Sequence, residues 1–190
     1  MPPKAKISRE SILETALDIL REKGESALNA RDIAAALQCS TQPIFSNFAS
    51  MQELKTAVVE EAEKIYQRYI HSAMESGQYP VYKASGMAYI RFAREEKMLF
   101  RLLYMRNRDA EDLSHANQHF DEMISVVQEQ TGLKREFAQL FHLETWAFVH
   151  GIAAMTATDF MNLDEEVISV MISDCFQGLK KHYEEKEETP

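Results

Sequence analysis

Apolar residues recur along this chain at intervals of three and four, the spacing that puts them on one side of an α-helix. Ile12, Ala16 and Ile19, with Leu13, Leu17 and Leu20, make the first such stripe. Ser8 or Ser11 can open it, since Ser11-Ile12-Leu13-Glu14 has capping-box spacing, and Gly24 is placed to end it. Asn29, with Asp32 three residues on, starts a short second helix whose apolar side is Ile33, Ala34 and Leu37. After the break at Gln38-Cys39, Ser40 is read as the cap of a third helix over 41–48. Pro43 falls in its first turn, where a missing N–H costs nothing. Two short helices with a tight link form a helix-turn-helix, whose second helix can enter a DNA major groove.

Ser50-Met51-Gln52-Glu53 is a second capping box and opens a long helix striped by Leu54, Ala57, Val58, Ala62, Ile65 and Tyr69. Gly77 and Pro80 end it. Five more helices follow. They run over 82–95, over 98–105, from about Leu113 to Gly132, over 137–160 and over 164–183. The fold class is therefore all-α with about nine helices. Residues 1–50 are read as a three-helix DNA-binding head, residues 51–183 as a helical body, and the acidic residues 184–190 as a disordered tail.

Charge sharpens the division. The chain of 190 residues carries a net −9, yet residues 1–50 are balanced, so the whole excess lies beyond them. Lys4, Lys6 and Arg9 precede any acidic residue and make a basic arm. This distribution suits a protein that meets DNA with one end. No apolar run reaches the roughly 18 residues of a membrane span, so no membrane contact is expected. Cys39 and Cys175 are far apart and read as small buried thiols in a reduced, cytoplasmic protein.

Nothing points to catalysis. There is no Gly-rich phosphate loop, nucleophile elbow or clustered metal motif, so the reading is of a non-enzyme without cofactor. His115 and His119, one helical turn apart and after Asp112, have a metal-compatible spacing. They lie beside the apolar stripe and are read as exposed polar residues, not ligands. His142 and His150, near Glu144, are read chiefly as satisfied core histidines.

The segment from Leu28 to Phe48 resembles the head of the tetracycline-repressor (TetR) family. The residues that carry the likeness are Ile33-Ala34, Ser40 at the start of the recognition helix, Phe45 five residues later and Phe48 three beyond. With the preceding helix and the residues after Ser50, the likeness covers about residues 8–58. Trp146, His150 and Gly151 also resemble the Trp…His-Gly signature of one C-terminal subgroup. Four positions depart from the family pattern: it usually has Gly at Gln38, Tyr at Phe45, His at Asn47 and Lys at Met51. The Tyr hydroxyl and the Lys amine are usual phosphate ligands in the family, and Lys55 is the nearby cation that could substitute.

The resemblance implies a homodimer that binds a double-stranded operator and responds to a small apolar or amphipathic effector. The expected DNA contacts are Lys4, Lys6, Arg31, Ser40, Thr41, Gln42, Phe45, Ser46, Asn47 and Lys55. Gln and Asn can pair with adenine and Thr can meet a thymine methyl. The expected effector site draws on an aromatic and Met-rich interior: Met74, Met87, Tyr89, Phe92, Phe100 and Tyr104, then Phe120, Met123, Phe141, Trp146 and His150. The last two helices are apolar on more than one side, which predicts a two-fold four-helix interface. The resemblance makes repression the expected direction, with effector binding shifting the fourth helix. The alternative reading is a helical dimer that has lost specific DNA binding and acts through ligand or protein contacts.

Overall fold

A computed structural model gives the fold and describes residues 7–106 and 114–188, side chains at 114–119 and 188 excepted. Nine α-helices and one short 3-10 turn occur among these residues, with no strand. The helices are α1 (Arg9–Lys23), α2 (Ala30–Ala36), α3 (Gln42–Asn47), α4 (Met51–Glu75), α5 (Val81–Glu95), α6 (Lys97–Tyr104), α7 (Ser114–Thr131), α8 (Arg135–Ala157) and α9 (Glu165–Glu188). They fall into two compact units. One runs up to Gln67 and takes in Glu96–Arg106; the other comprises Arg68–Glu95 and the residues after 113.

Caps explain where the helices of the first unit begin. Ser8 caps α1, its hydroxyl accepting from the Ser11 N–H at 3.1 Å, so Ser11 lies inside the helix. Asn29 Oδ1 accepts from the N–H groups of Arg31 and Asp32 and opens α2. Ser50 Oγ accepts from Glu53 N–H at 3.1 Å, while the Glu53 carboxylate reaches back to Ala49 N–H at 2.7 Å. The second capping box thus forms, its return bond one residue further back than the usual pattern. The expected Ser40 cap does not form. Thr41 already has helical backbone angles and supplies the capping carbonyl, and α3 starts at Gln42 with no side-chain cap.

The core of the first unit is built from Ile12, Ala16, Leu20, Leu28, Ile33, Ile44, Phe48 and Leu54, with Leu99, Phe100 and Leu103 of α6. α6 packs on α1. Arg21 and Glu96 tie this contact with two hydrogen bonds of 2.9 Å. Gly24 ends α1 with φ +80°, and a Cβ there would meet Met98 Cε at 2.8 Å, so α6 seats closely on this glycine. At the other end of α1, Arg9 lies over the Phe48 ring at 4.1 Å and donates to the Asn47 carbonyl and to Glu53. α6 lies in the part of the sequence that was read as body, yet it packs with the first unit.

In the second unit α5 packs on α8, α7 and α9. Its aromatic core joins Tyr82, Met123, Ile124, Val127, Phe141 and Tyr183, with Met74, Phe120, Phe137 and Phe176 against them. Two boundaries differ from the sequence reading. α8 ends at Ala157 rather than near residue 160, because Asp159 takes φ +57° and breaks the helix. α9 continues past Tyr183 to Glu188, where a disordered tail was expected. The ion pairs Lys180–Glu184 and Lys181–Glu185 span successive turns there, and Glu187 accepts from the Lys134 N–H at 2.6 Å. That last bond satisfies a donor at the start of α8 and holds the end of α9 in place. No helix among the described residues is long and apolar enough to cross a membrane.

Candidate functional site

α3 and the start of α2 carry the residues expected to meet DNA. Ile44 and Phe48 bury one side of α3, which leaves Gln42, Phe45 and Ser46 exposed. Phe45 is 49% exposed, an uncommon setting for a large apolar ring. Ser46 Oγ donates to the Gln42 carbonyl, and Asn47 Nδ2 donates to the Pro43 carbonyl at 2.8 Å. Asn47 is half-buried and one of its amide N–H groups is used by its own helix. Ser40 is exposed and Thr41 half-buried. Arg31 is exposed in the first turn of α2, with no ion-pair partner among the described residues. Lys55 sits 3.7 Å from Glu25 in an exposed pair, a contact that water and salt weaken. Lys4 and Lys6 lie outside the described residues.

The expected effector residues separate into groups. Met74, Phe120, Met123 and Phe141 meet in the aromatic core of the second unit. Met87, Tyr89 and Phe92 are buried along α5. Phe100 and Tyr104 belong to α6 and the first unit, their rings 5.3 Å apart. Trp146 is 41% exposed and stacks on His150 with 5.1 Å between ring centroids. A pocket of about 120 Å³ in the second unit is lined by Met87 alone of these eleven. Its polar walls, which include Arg91, Arg94 and Glu165, were missed by sequence reasoning. Two arginines one turn apart at the end of a largely apolar helix were the available signal.

Polar groups inside the second unit are paired by tyrosines. The Tyr82 hydroxyl and His142 Nδ1 share a bond of 2.8 Å, and the Tyr89 hydroxyl and His150 Nδ1 one of 2.9 Å. Tyr183 donates to Glu144 at 3.0 Å. Burial pushes the Tyr82 phenol far above its ordinary range, so it stays protonated. Burial also lowers the His150 imidazole below the usual histidine value. Thr145 is buried beside Tyr82, and among the described residues its hydroxyl has no hydrogen-bond partner within the normal distance. Among the described residues no three His, Cys, Asp or Glu side chains gather as a metal site; Asp112 and the side chains of His115 and His119 lie outside them.

Part of the surface of α8 and α9 is apolar. Leu140, Leu143 and Trp146 on α8, and Val167 and Val170 on α9, are all more than two-fifths exposed, and Ala147 and Gly151 lie exposed among them. This is the second apolar side that the sequence carries on its last two helices. Residues 82–172, which hold most of this region, match a family described as tetracyclin repressor-like, C-terminal domain.

Over these residues the chain is similar to the C-terminal domain of tetracycline repressors. The fold of the chain recurs in solved structures across nearly its full length. A protein of unknown function from Rhodococcus sp. RHA1 is 22% identical, with 95% of this chain and 100% of that one covered and a TM-score of 0.78. A TetR-family transcriptional regulator from Streptomyces coelicolor is 16% identical, covering 92% and 95%, with a TM-score of 0.70. The multidrug binding protein EbrR, complexed with ethidium, is 16% identical, covering 92% and 99%, with a TM-score of 0.62. No curated protein matches the chain in sequence.

Proposed function

We propose that this protein is a ligand-responsive repressor of the TetR family. It binds a pseudo-palindromic operator as a homodimer in the cytoplasm and is released by a small apolar or amphipathic molecule. The observation that carries the reading is the outer face of α3 with the start of α2. Gln42 and Ser46 are exposed there, and the Arg31 guanidinium has no ion-pair partner among the described residues. Gln42 reads a base edge, and Arg31 meets a phosphate beside the free N–H groups of a helix start. The exposed apolar strip on α8 and α9 supports the dimer: a contiguous apolar face of this kind marks an association surface. Two copies present two recognition helices, which successive major grooves accept at centres about 34–36 Å apart.

The effector lies among the aromatic and methionine side chains of the second unit. Its rings and soft sulfur suit a flat apolar compound. The fold shared with EbrR, which was solved with ethidium, supports the same class. α4 has residues in both units and is the element through which effector binding depopulates the DNA-competent state. A coupling of about 1–3 kcal/mol changes affinity roughly 5–150-fold. Selection of bound sites from a random DNA library tests the whole reading. An inverted repeat should be enriched, and ethidium should lower its occupancy. A library that shows no enrichment over many rounds removes the repressor.

One observation favours a second reading, a helical dimer without specific DNA binding. Phe45 has no hydroxyl for a phosphate, and Lys55, the substitute cation, is engaged by Glu25. The same selection separates the two readings, because this alternative returns no sequence.

A further inference from the structure

The pocket in the second unit is walled by the end of α4, the turn after it, α5 and the start of α9. It is small beside the roughly 300–1,000 Å³ of pockets that hold drug-sized ligands. Its walls carry charges of both signs that do not pair with each other. Arg94 is half-buried and donates one Nη2–H to the Leu163 carbonyl at 2.7 Å, which fixes the guanidinium. That bond uses one of five N–H donors, and no carboxylate among the described residues lies within 4.0 Å of it. Glu165 lines the same pocket and likewise has no hydrogen-bond or ion-pair partner among the described residues. Arg91 is already answered: its Nε is 3.9 Å from Glu95, and its guanidinium lies over the Tyr69 ring.

The balance of these charges selects the ligand. A simple anion would be drawn to Arg94 and repelled by Glu165, and a simple cation the reverse. A molecule with a carboxylate at one end and an ammonium at the other satisfies both. Ser72, Ser76, Gln78 and Tyr79 supply neutral polar groups along the wall, and Met87 and Ile168 an apolar one. We propose that this pocket binds a small zwitterion of amino-acid size, its carboxylate on Arg94 and its ammonium on Glu165. The site shares only Met87 with the aromatic effector residues and stands whether or not the protein represses.

Titration of the full-length protein with glycine, β-alanine and 4-aminobutanoate, followed by ligand-observed NMR, tests the proposal. The three probes differ in the distance between their charges. Propionate and propylammonium serve as size-matched probes with one charge each. At least one zwitterion should bind saturably, and about tenfold or more tighter than either single-charge probe. Glu165→Gln, at an exposed position where folding is not at risk, should bring its affinity down to that of propionate. Arg94→Gln should weaken it by about tenfold or more. The proposal is overturned if no zwitterion saturates, if propionate binds as tightly as the best of them, or if Glu165→Gln leaves that affinity unchanged.

Discussion

Gln38 stands in the link between α2 and α3 with φ +51°, in the left-handed region where a Cβ is crowded by its own backbone. The family pattern places Gly there, and this chain carries the strain. Its side chain is exposed and the N–H bond to the Ala35 carbonyl needs no side chain, so Gln38→Gly should keep the link intact. The expected gain is about 0.5–1 kcal/mol, seen as a melting temperature raised by roughly 1–4 °C. A lower melting temperature would mean that the side chain contributes more than the strain costs. His150 offers a second test at this scale. Burial holds its imidazole below the ordinary value of 6.5, so the folded protein favours the neutral ring. Between the folded and the unfolded value the unfolded chain binds more protons. Stability from this group is therefore complete above about pH 6.5 and falls as the pH drops through that window. The slope of melting temperature against pH between about 5 and 7 should flatten in His150→Gln. A slope identical to that of the parent chain would show that other groups set it.

The recognition element, α3 with the start of α2, yields the prediction that bears most on DNA. Gln42→Ala should lower binding to the selected operator while leaving scrambled DNA almost unaffected, since base contacts carry the sequence preference. Arg31→Ala should weaken both alike and reduce the log–log salt slope by about 0.9. Equal losses on both DNAs for Gln42→Ala would take that residue off the list of base readers. Much at this scale was legible in the sequence. Asn29, Ser50 and Glu53 act on neighbours a few residues away, so spacing alone placed the starts of α2 and α4. The Ser40 cap failed because Thr41 is already helical, a backbone detail that residue type does not encode. The extension of α9 was hidden because it depends on Glu187 meeting Lys134, a contact between distant segments. The opposite charges of Arg94 and Glu165 were out of reach for the same reason: each looks like an ordinary surface residue until the fold sets them around one pocket.

At the scale of the whole molecule, the exposed strip on α8 and α9 is the surface that the proposed dimer would use. Val170, at 59% exposure, is well placed to test it. Val170→Glu should shift sedimentation at micromolar concentration from dimer to monomer while helicity is retained; a parent chain already monomeric there would dismiss the interface. The allegiance of α6 has a different consequence, for protein engineering. The first compact unit is discontinuous in the chain: its core needs Leu99, Phe100 and Leu103, which arrive only after α5 has been laid down in the second unit. A gene fragment that stops at residue 67 encodes every cap and turn of the recognition element but none of the apolar side chains that close it beneath α1. Such a fragment, expressed alone, should bind hydrophobic dyes and aggregate, whereas the same fragment with the α6 sequence appended through a flexible linker should regain a cooperative melt. The first unit is therefore not a cassette that can be cut out and grafted by sequence order, and a chimera that exchanges α3 must carry α6 with the residues it covers.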